Sequence, residues 1–128
     1  MEEYKHKELT GNIIGAAMRV HTQLGLGFPE VVYQRCLAIE LRESGLTFER
    51  ELELPLIYRG EHVGSRRVDF LVENTVLVKL KALSEITTLH HAQVLNYLHA
   101  YQLETALLLN FGEHRLTHKR FVNTPRAT

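Results

Sequence analysis

The chain has 128 residues, which suits one domain with its own core and leaves no room for a second. Its 15 Lys and Arg balance 15 Asp and Glu, so the whole molecule carries no cationic field, and any nucleic-acid contact needs a local basic patch. The single cysteine, Cys36, excludes an internal disulfide and a thiolate zinc cage.

In chain order, apolar residues Ile13, Ala16, Ala17, Val20 and Leu24 recur at helical spacing over residues 9–24, with Thr10 as a cap at the start. Gly25 and Gly27 break that helix, and Pro29 opens a second one carrying Val32, Cys36, Leu37, Ile39 and Leu41. Cys36 reads as a small core residue. After Ser44 and Gly45 the period changes. FERELELPLIYRG and SRRVDFLVE alternate as strands do, with turns at Gly60 and Gly64, and a tight turn at Glu73 and Asn74 leads into TVLVKLKAL. These three strands predict an antiparallel meander.

The spacing in TTLHHAQVLNYLHAYQ predicts a third helix with Ala92, Leu95 and Leu98 on its apolar stripe. TALLLNFG is apolar enough for a strand covered on both faces, RLTHKRFV reads as a more polar edge strand, and NTPRAT as a frayed tail. The order ααβββαββ predicts an α/β or α+β fold, helices covering a small mixed sheet, in one domain over residues 1–128. The N-terminus lacks a signal-peptide pattern and no run approaches the roughly 18 apolar residues of a membrane span, so the expectation is a cytoplasmic protein with no membrane contact.

Strand geometry puts Asp69, Leu71 and Glu73 on one face of the second strand and Leu77, Lys79 and Lys81 on one face of the third. Alternation alone reads as a sheet with one solvated face. The third helix argues otherwise, because its apolar stripe has to pack on the sheet, and polar groups at that rim would need partners. On it Gln93 and Tyr97, four apart, share a face with His90. Taken alone they read as surface residues. Glu30 beside Pro29 reads as an acid at a helix N-terminus. His21 and His91 are candidate ligands, each weak evidence among eight histidines.

Together these stretches resemble a known family. GLGFPEVVYQRCLAIEL matches the motif of the GxxExxY proteins at Gly27, Glu30 and Tyr33, and the likeness continues through ELPLIYRGEHVG, VDFLVENTVLVKLKAL, HHAQVLNYLHAY, ALLLNFG and KRF. It covers residues 10–121 and is similar to the PD-(D/E)xK nuclease superfamily, in the branch with a Gln-x-x-x-Tyr helix. The resemblance implies a restriction-endonuclease-like core and a Mg²⁺- or Mn²⁺-dependent nuclease acting on nucleic acid, DNA before RNA. It implies that Asp69 binds metal, that Lys81 positions the attacking water and stabilises the phosphate, and that Gln93 and Tyr97 support the site. It further implies that Glu30 joins the metal shell, with His21 nearby.

One position departs from the motif. Where E-x-K is expected, the chain reads Lys79-Leu80-Lys81. Hard divalent cations want oxygen ligands. At an effective dielectric of about 20 and a separation of 4 Å, each unit pair of charges is worth about 4 kcal/mol, so exchanging a carboxylate for an ammonium removes on the order of 10 kcal/mol of attraction for the ion. The sequence therefore predicts a nuclease-like protein impaired at Lys79, with Lys79 pairing with Asp69 or Glu30 in the ion's place. The alternatives are a site in which Glu30, Asp69 and Glu73 or a histidine still hold a metal, a nucleic-acid-binding module using Arg66, Arg67, Lys79, Lys81, Lys119 and Arg120, and an assembly protein that forms a homodimer through its last edge strand.

Overall fold

A computed structural model describes residues 6–123. Helices α1 (Lys7–Leu24) and α2 (Glu30–Glu43) come first, then strands β1 (Phe48–Tyr58), β2 (Glu61–Val72) and β3 (Val76–Lys81). Helix α3 (Thr88–Tyr101) and strands β4 (Thr105–Asn110) and β5 (Thr117–Val122) complete the order. The strands form one sheet in the order β1-β2-β3-β4-β5. The first three make the expected antiparallel meander, β3 and β4 pair in parallel, and β4 and β5 are antiparallel. Parallel neighbours cannot be joined by a tight turn, and α3 supplies the crossover between them.

Most of β1 and the first half of β2 are exposed, while the centre of the sheet, at β3, β4 and the second half of β2, is covered on both faces. On one, α1 and α2 bring Ile13, Leu37 and Leu41 against Phe70, Val78, Leu80, Leu107 and Leu109. On the other, α3 brings Val94, Tyr97 and Leu98 against Val68, Leu77, Leu108 and Phe121. All six residues of β4 are buried, the apolar run 106–109 on both faces as a central strand requires, with the polar Thr105 and Asn110 at its ends. No helix among the described residues is long and apolar enough to cross a membrane.

Several local expectations are corrected. Helix α1 begins at Lys7, so Thr10 lies inside it and its hydroxyl donates to the Lys7 carbonyl at 3.1 Å rather than capping. Gly64 is within β2, and the turn falls before Glu61. In α3 the inward stripe is Val94, Tyr97 and Leu98, whereas Ala92 and Leu95 are exposed. A rotation of one residue satisfies the helical period equally well, and the sheet selects the larger side chains. Ile39 is exposed and Cys36 only half-buried. The third strand has no solvated face, since Lys79 and Lys81 are half-buried beneath the α3 layer. Residues 124–128 of the expected frayed tail lie outside the described residues.

Strand β2 also breaks its own alternation. Val68 faces α3, while Phe70 and Val72 face α1 and α2. The switch falls at Asp69. Opposite it, Glu51 of β1 has a left-handed backbone (φ 57°), and pairing passes from Arg50 with Phe70 to Leu52 with Val68. Pairing of β2 with β3 also ends at Phe70 and Val78. Asp69 thus sits where the sheet opens.

The far end of β3 is clamped. Asn110 accepts from the Leu83 amide (2.9 Å) and donates to the Leu83 carbonyl (2.8 Å). This brings Gly112 so close that a Cβ there would overlap the backbone of Ala82 and Leu83. Backbone cannot yield as a flexible side chain can. Gly112→Ala is therefore expected to lower unfolding free energy by about 1–3 kcal/mol, as overpacking does, with urea denaturation as the measurement.

Candidate functional site

The loop between the first two helices sets the position of Glu30. Gly27 takes a left-handed backbone (φ 99°), which a side chain would disfavour. Tyr33, one turn into α2, donates its hydroxyl to the Gly25 carbonyl at 2.6 Å, and its ring stacks on Phe111 at 4.8 Å. A buried tyrosine thus ties the loop to the core, and α2 starts at Glu30 just after Pro29. The spacing of Gly27, Glu30 and Tyr33 has a mechanical meaning: a bend, the residue it presents, and the clasp that holds the bend.

Asp69 is the centre of the polar cluster and is only 3% exposed. Its Oδ1 accepts from Gln34 Nε2 at 2.7 Å, and its Oδ2 accepts from the Leu80 backbone amide at 2.8 Å. Where β2 and β3 part, the carboxylate takes the amide that a strand would otherwise bond. Lys79 Nζ lies 3.5 Å from the same Oδ2. Lys79 stands between Val78 and Leu80, which face α1 and α2, so its stem leaves toward α3 and its ammonium closes on Asp69 at the opening.

Glu30 belongs to the same neighbourhood. Burial pushes its carboxyl above the usual range and the charge of Asp69 pushes it further, while Lys79, Lys81 and Arg67 pull it back down. The structure thus brings together Glu30, Asp69, Lys79 and Lys81. It adds Gln34, which the sequence did not place at the site, and brings in Arg67, which the sequence offered only as a phosphate contact in the binding-module alternative. Gln34 was findable, because it follows Glu30 by four residues and so shares its helix face. Its carbonyl oxygen Oε1 is buried with no hydrogen-bond partner, an oxygen that stands next to two carboxylates without a donor.

The other candidates are placed as follows. Gln93 is half-buried, and Tyr97 is buried in the apolar layer of α3 with Val68 and Leu77, on the side from which Lys79 and Lys81 rise. His90 is engaged in a capping box with Thr87. His21 Nε2 is 2.8 Å from the Glu113 carbonyl, a contact in which the nitrogen must donate, and its ring stacks on Phe111. His91 packs edge-on against Phe121. Glu73 accepts from both the amide and the hydroxyl of Thr47 at 2.6 Å, which holds its carboxyl below the usual range. It fastens the β2–β3 turn to the start of β1.

These residues do not fit a divalent ion. Magnesium and manganese sites need several oxygen ligands with open lone pairs. Asp69 has both oxygens engaged and an ammonium beside one of them. Among the described residues no group of three or more His, Cys, Asp or Glu side chains is arranged to hold a metal. What the cluster can do is gather three cations, Lys79, Lys81 and Arg67, around the carboxylates of Glu30 and Asp69.

Comparison with known proteins agrees with this architecture. The sequence profile of the PD-(D/E)XK nuclease superfamily, whose nucleases typically use divalent metals, matches residues 7–121. The crystal structure of SSO0001 superposes with a TM-score of 0.58 at 17% identity, over 74% of this chain and 50% of that one, a likeness of fold. The chain thus spans half the length of that protein. No curated protein matches it in sequence.

Two outcomes are expected from this geometry. Lys79→Ala leaves the Asp69 carboxylate without its counter-charge but with both hydrogen bonds, and should cost up to about 3 kcal/mol in urea denaturation, the low end for a broken buried pair. Glu30 has a raised folded-state pKa, so the folded protein holds more protons than the unfolded chain above the ordinary carboxylate value of 4.5. Stability should fall as pH rises through that window, and Glu30→Gln should flatten the profile there, as read by thermal unfolding from pH 4 to pH 7.

Proposed function

The chain belongs to the PD-(D/E)xK nuclease superfamily, and from that premise we propose that it grips the backbone of nucleic acid, DNA in the first place, without cutting it. The observation that carries this reading is the Lys79 ammonium 3.5 Å from Asp69. We read the chain as a GxxExxY-type domain in which Asp69 and Lys79 form an internal ion pair where relatives of the motif would hold a magnesium ion.

Backbone binding follows from the remaining cations. Lys81 is half-buried and Arg67 exposed, and both act on Glu30 electrostatically, so they flank one spot. A phosphate there receives charge-assisted hydrogen bonds from a guanidinium and an ammonium. Such contacts position a strand without reading its bases. The chain is neutral overall, so attraction comes from this patch and not from a long-range field. Gln93 and Tyr97 stand on the α3 side of these lysines.

A second reading, a cryptic metal site, has one observation in its favour. The unpartnered Gln34 Oε1 stands with Glu30 and Asp69 as an oxygen set lacking one carboxylate. Calorimetry with Mn²⁺ on the parent chain and on Lys79→Glu separates the two. The expected result is binding by the variant alone. Mn²⁺-dependent cleavage of DNA by the parent chain overturns the non-cutting reading. For backbone binding, log affinity for DNA should fall linearly with log salt, and Lys81→Ala should reduce the slope by about 1. An affinity that is flat in salt counts against it.

A further inference from the structure

Beside the lysines, on the α3 face, lies a pocket of about 310 Å³ that the backbone contacts leave unused. Its floor is β4 and β5 at Leu108, Asn110 and Lys119, its wall is His91 at the start of α3, and Glu85 and Glu113 line it too. Register ties it to the cationic spot. Lys79 pairs with Leu108 and Lys81 with Asn110, so the pocket begins one strand over from the two lysines, roughly 5 Å away.

The pocket is built before any ligand arrives. Glu113 Oε2 accepts from Asn110 Nδ2 and from the Thr117 hydroxyl, each at 2.8 Å, and the Glu113 carbonyl is held by His21. Asn110 is in turn locked to Leu83. The His91 ring is braced by Phe121, at 5.4 Å between centroids. Groups held in place in this way lose little freedom on binding.

Its chemistry selects its occupant. Lys119 and His118 line the pocket beside Glu85 and Glu113, so its charge is mixed, and the two carboxylates set it apart from an all-cationic backbone track. They accept hydrogen bonds from an amino group, as carboxylates do from cytosine N4. An imidazole offers a stacking surface for an unstacked base. The volume is at the small end for ligand pockets and suits one nucleotide rather than a larger ligand.

We propose that this pocket is a nucleobase subsite, taking from a single strand an unpaired base with an exocyclic amino group next to the phosphate held by Lys81. The inference rests on the backbone-binding reading and goes beyond it, from a track that ignores sequence to one position that reads it. Cytosine and thymine are the sharpest pair, because they share a ring size and differ at position 4 in an amino group against a carbonyl.

Fluorescence anisotropy with labelled ten-nucleotide oligo-dC and oligo-dT at one salt concentration tests it. Oligo-dC should bind roughly tenfold tighter than oligo-dT. His91→Ala should lower oligo-dC binding roughly tenfold and leave the salt slope intact, and Glu85→Gln, which keeps the shape of the exposed side chain, should narrow the dC-to-dT ratio. Lys81→Ala should weaken both oligonucleotides alike. Equal affinity of the parent for the two overturns the subsite while leaving backbone binding standing. So does a Glu85→Gln variant with an unchanged ratio, which keeps the test decisive if His91→Ala fails to fold. Binding of neither oligonucleotide by the parent overturns both readings.

Discussion

The polar half of this molecule depends on one buried carboxylate. Asp69 is almost fully enclosed, and a carboxylate so enclosed has to be satisfied or protonated. It takes a side-chain amide from α2, a backbone amide from β3 and the charge of Lys79. Each contact joins it to a different part of the fold. The bond to Leu80 substitutes for strand pairing where β2 and β3 part, and the bond to Gln34 fixes α2 over the sheet opening. Glu30 hangs on the same helix one turn earlier, so its place in the cluster follows from that anchorage. In this neighbourhood burial first, and then the charge of Asp69, push the Glu30 carboxyl toward protonation, and three cations pull it back.

Around that centre the scaffold is tied by long-range polar clasps at its loops. Tyr33 binds the α1–α2 loop and stacks on Phe111 after β4, His21 reaches the Glu113 carbonyl, and Asn110 grips Leu83. These converge on the C-terminal end of β4, the strand buried on both faces. Parallel pairing of β3 and β4 aligns their ends, so residues leaving both strands meet there. This is why the rim that carries Lys81 also carries a preformed pocket.

The nuclease-superfamily fold and any metal chemistry upon it rest on different residues. The fold rests on apolar layers that Lys79 does not enter. A divalent ion needs several open oxygen ligands, and in this chain the Lys79 ammonium stands 3.5 Å from one oxygen of Asp69. The pair offsets the charge of the buried carboxylate, and Lys81 and Arg67 stand outside it while acting on Glu30.

Much of the fold was legible in the chain. Period alone marks the order of helices and strands, the apolar run 106–109 announces a strand buried twice, and the spacing of Gly27, Glu30 and Tyr33 and of Asp69 and Lys81 carries the family likeness. Those signals are local, and local patterns survive reading one residue at a time. What they cannot carry is which of two equivalent helix faces turns inward, and so Val94 and Tyr97 displaced Ala92 and Leu95. Nor can they show a broken alternation. Period 2 assigns Asp69 and Leu71 to one face, but β2 switches faces at Asp69 because β1 is kinked opposite it and β3 has parted from it. Gln34, Arg67 and the pocket beside Lys81 exist as site features only through contacts between residues tens of positions apart. The sequence determined which groups were available, and tertiary structure decided which of them met, because a buried charge is satisfied by whatever partners the packing brings within reach.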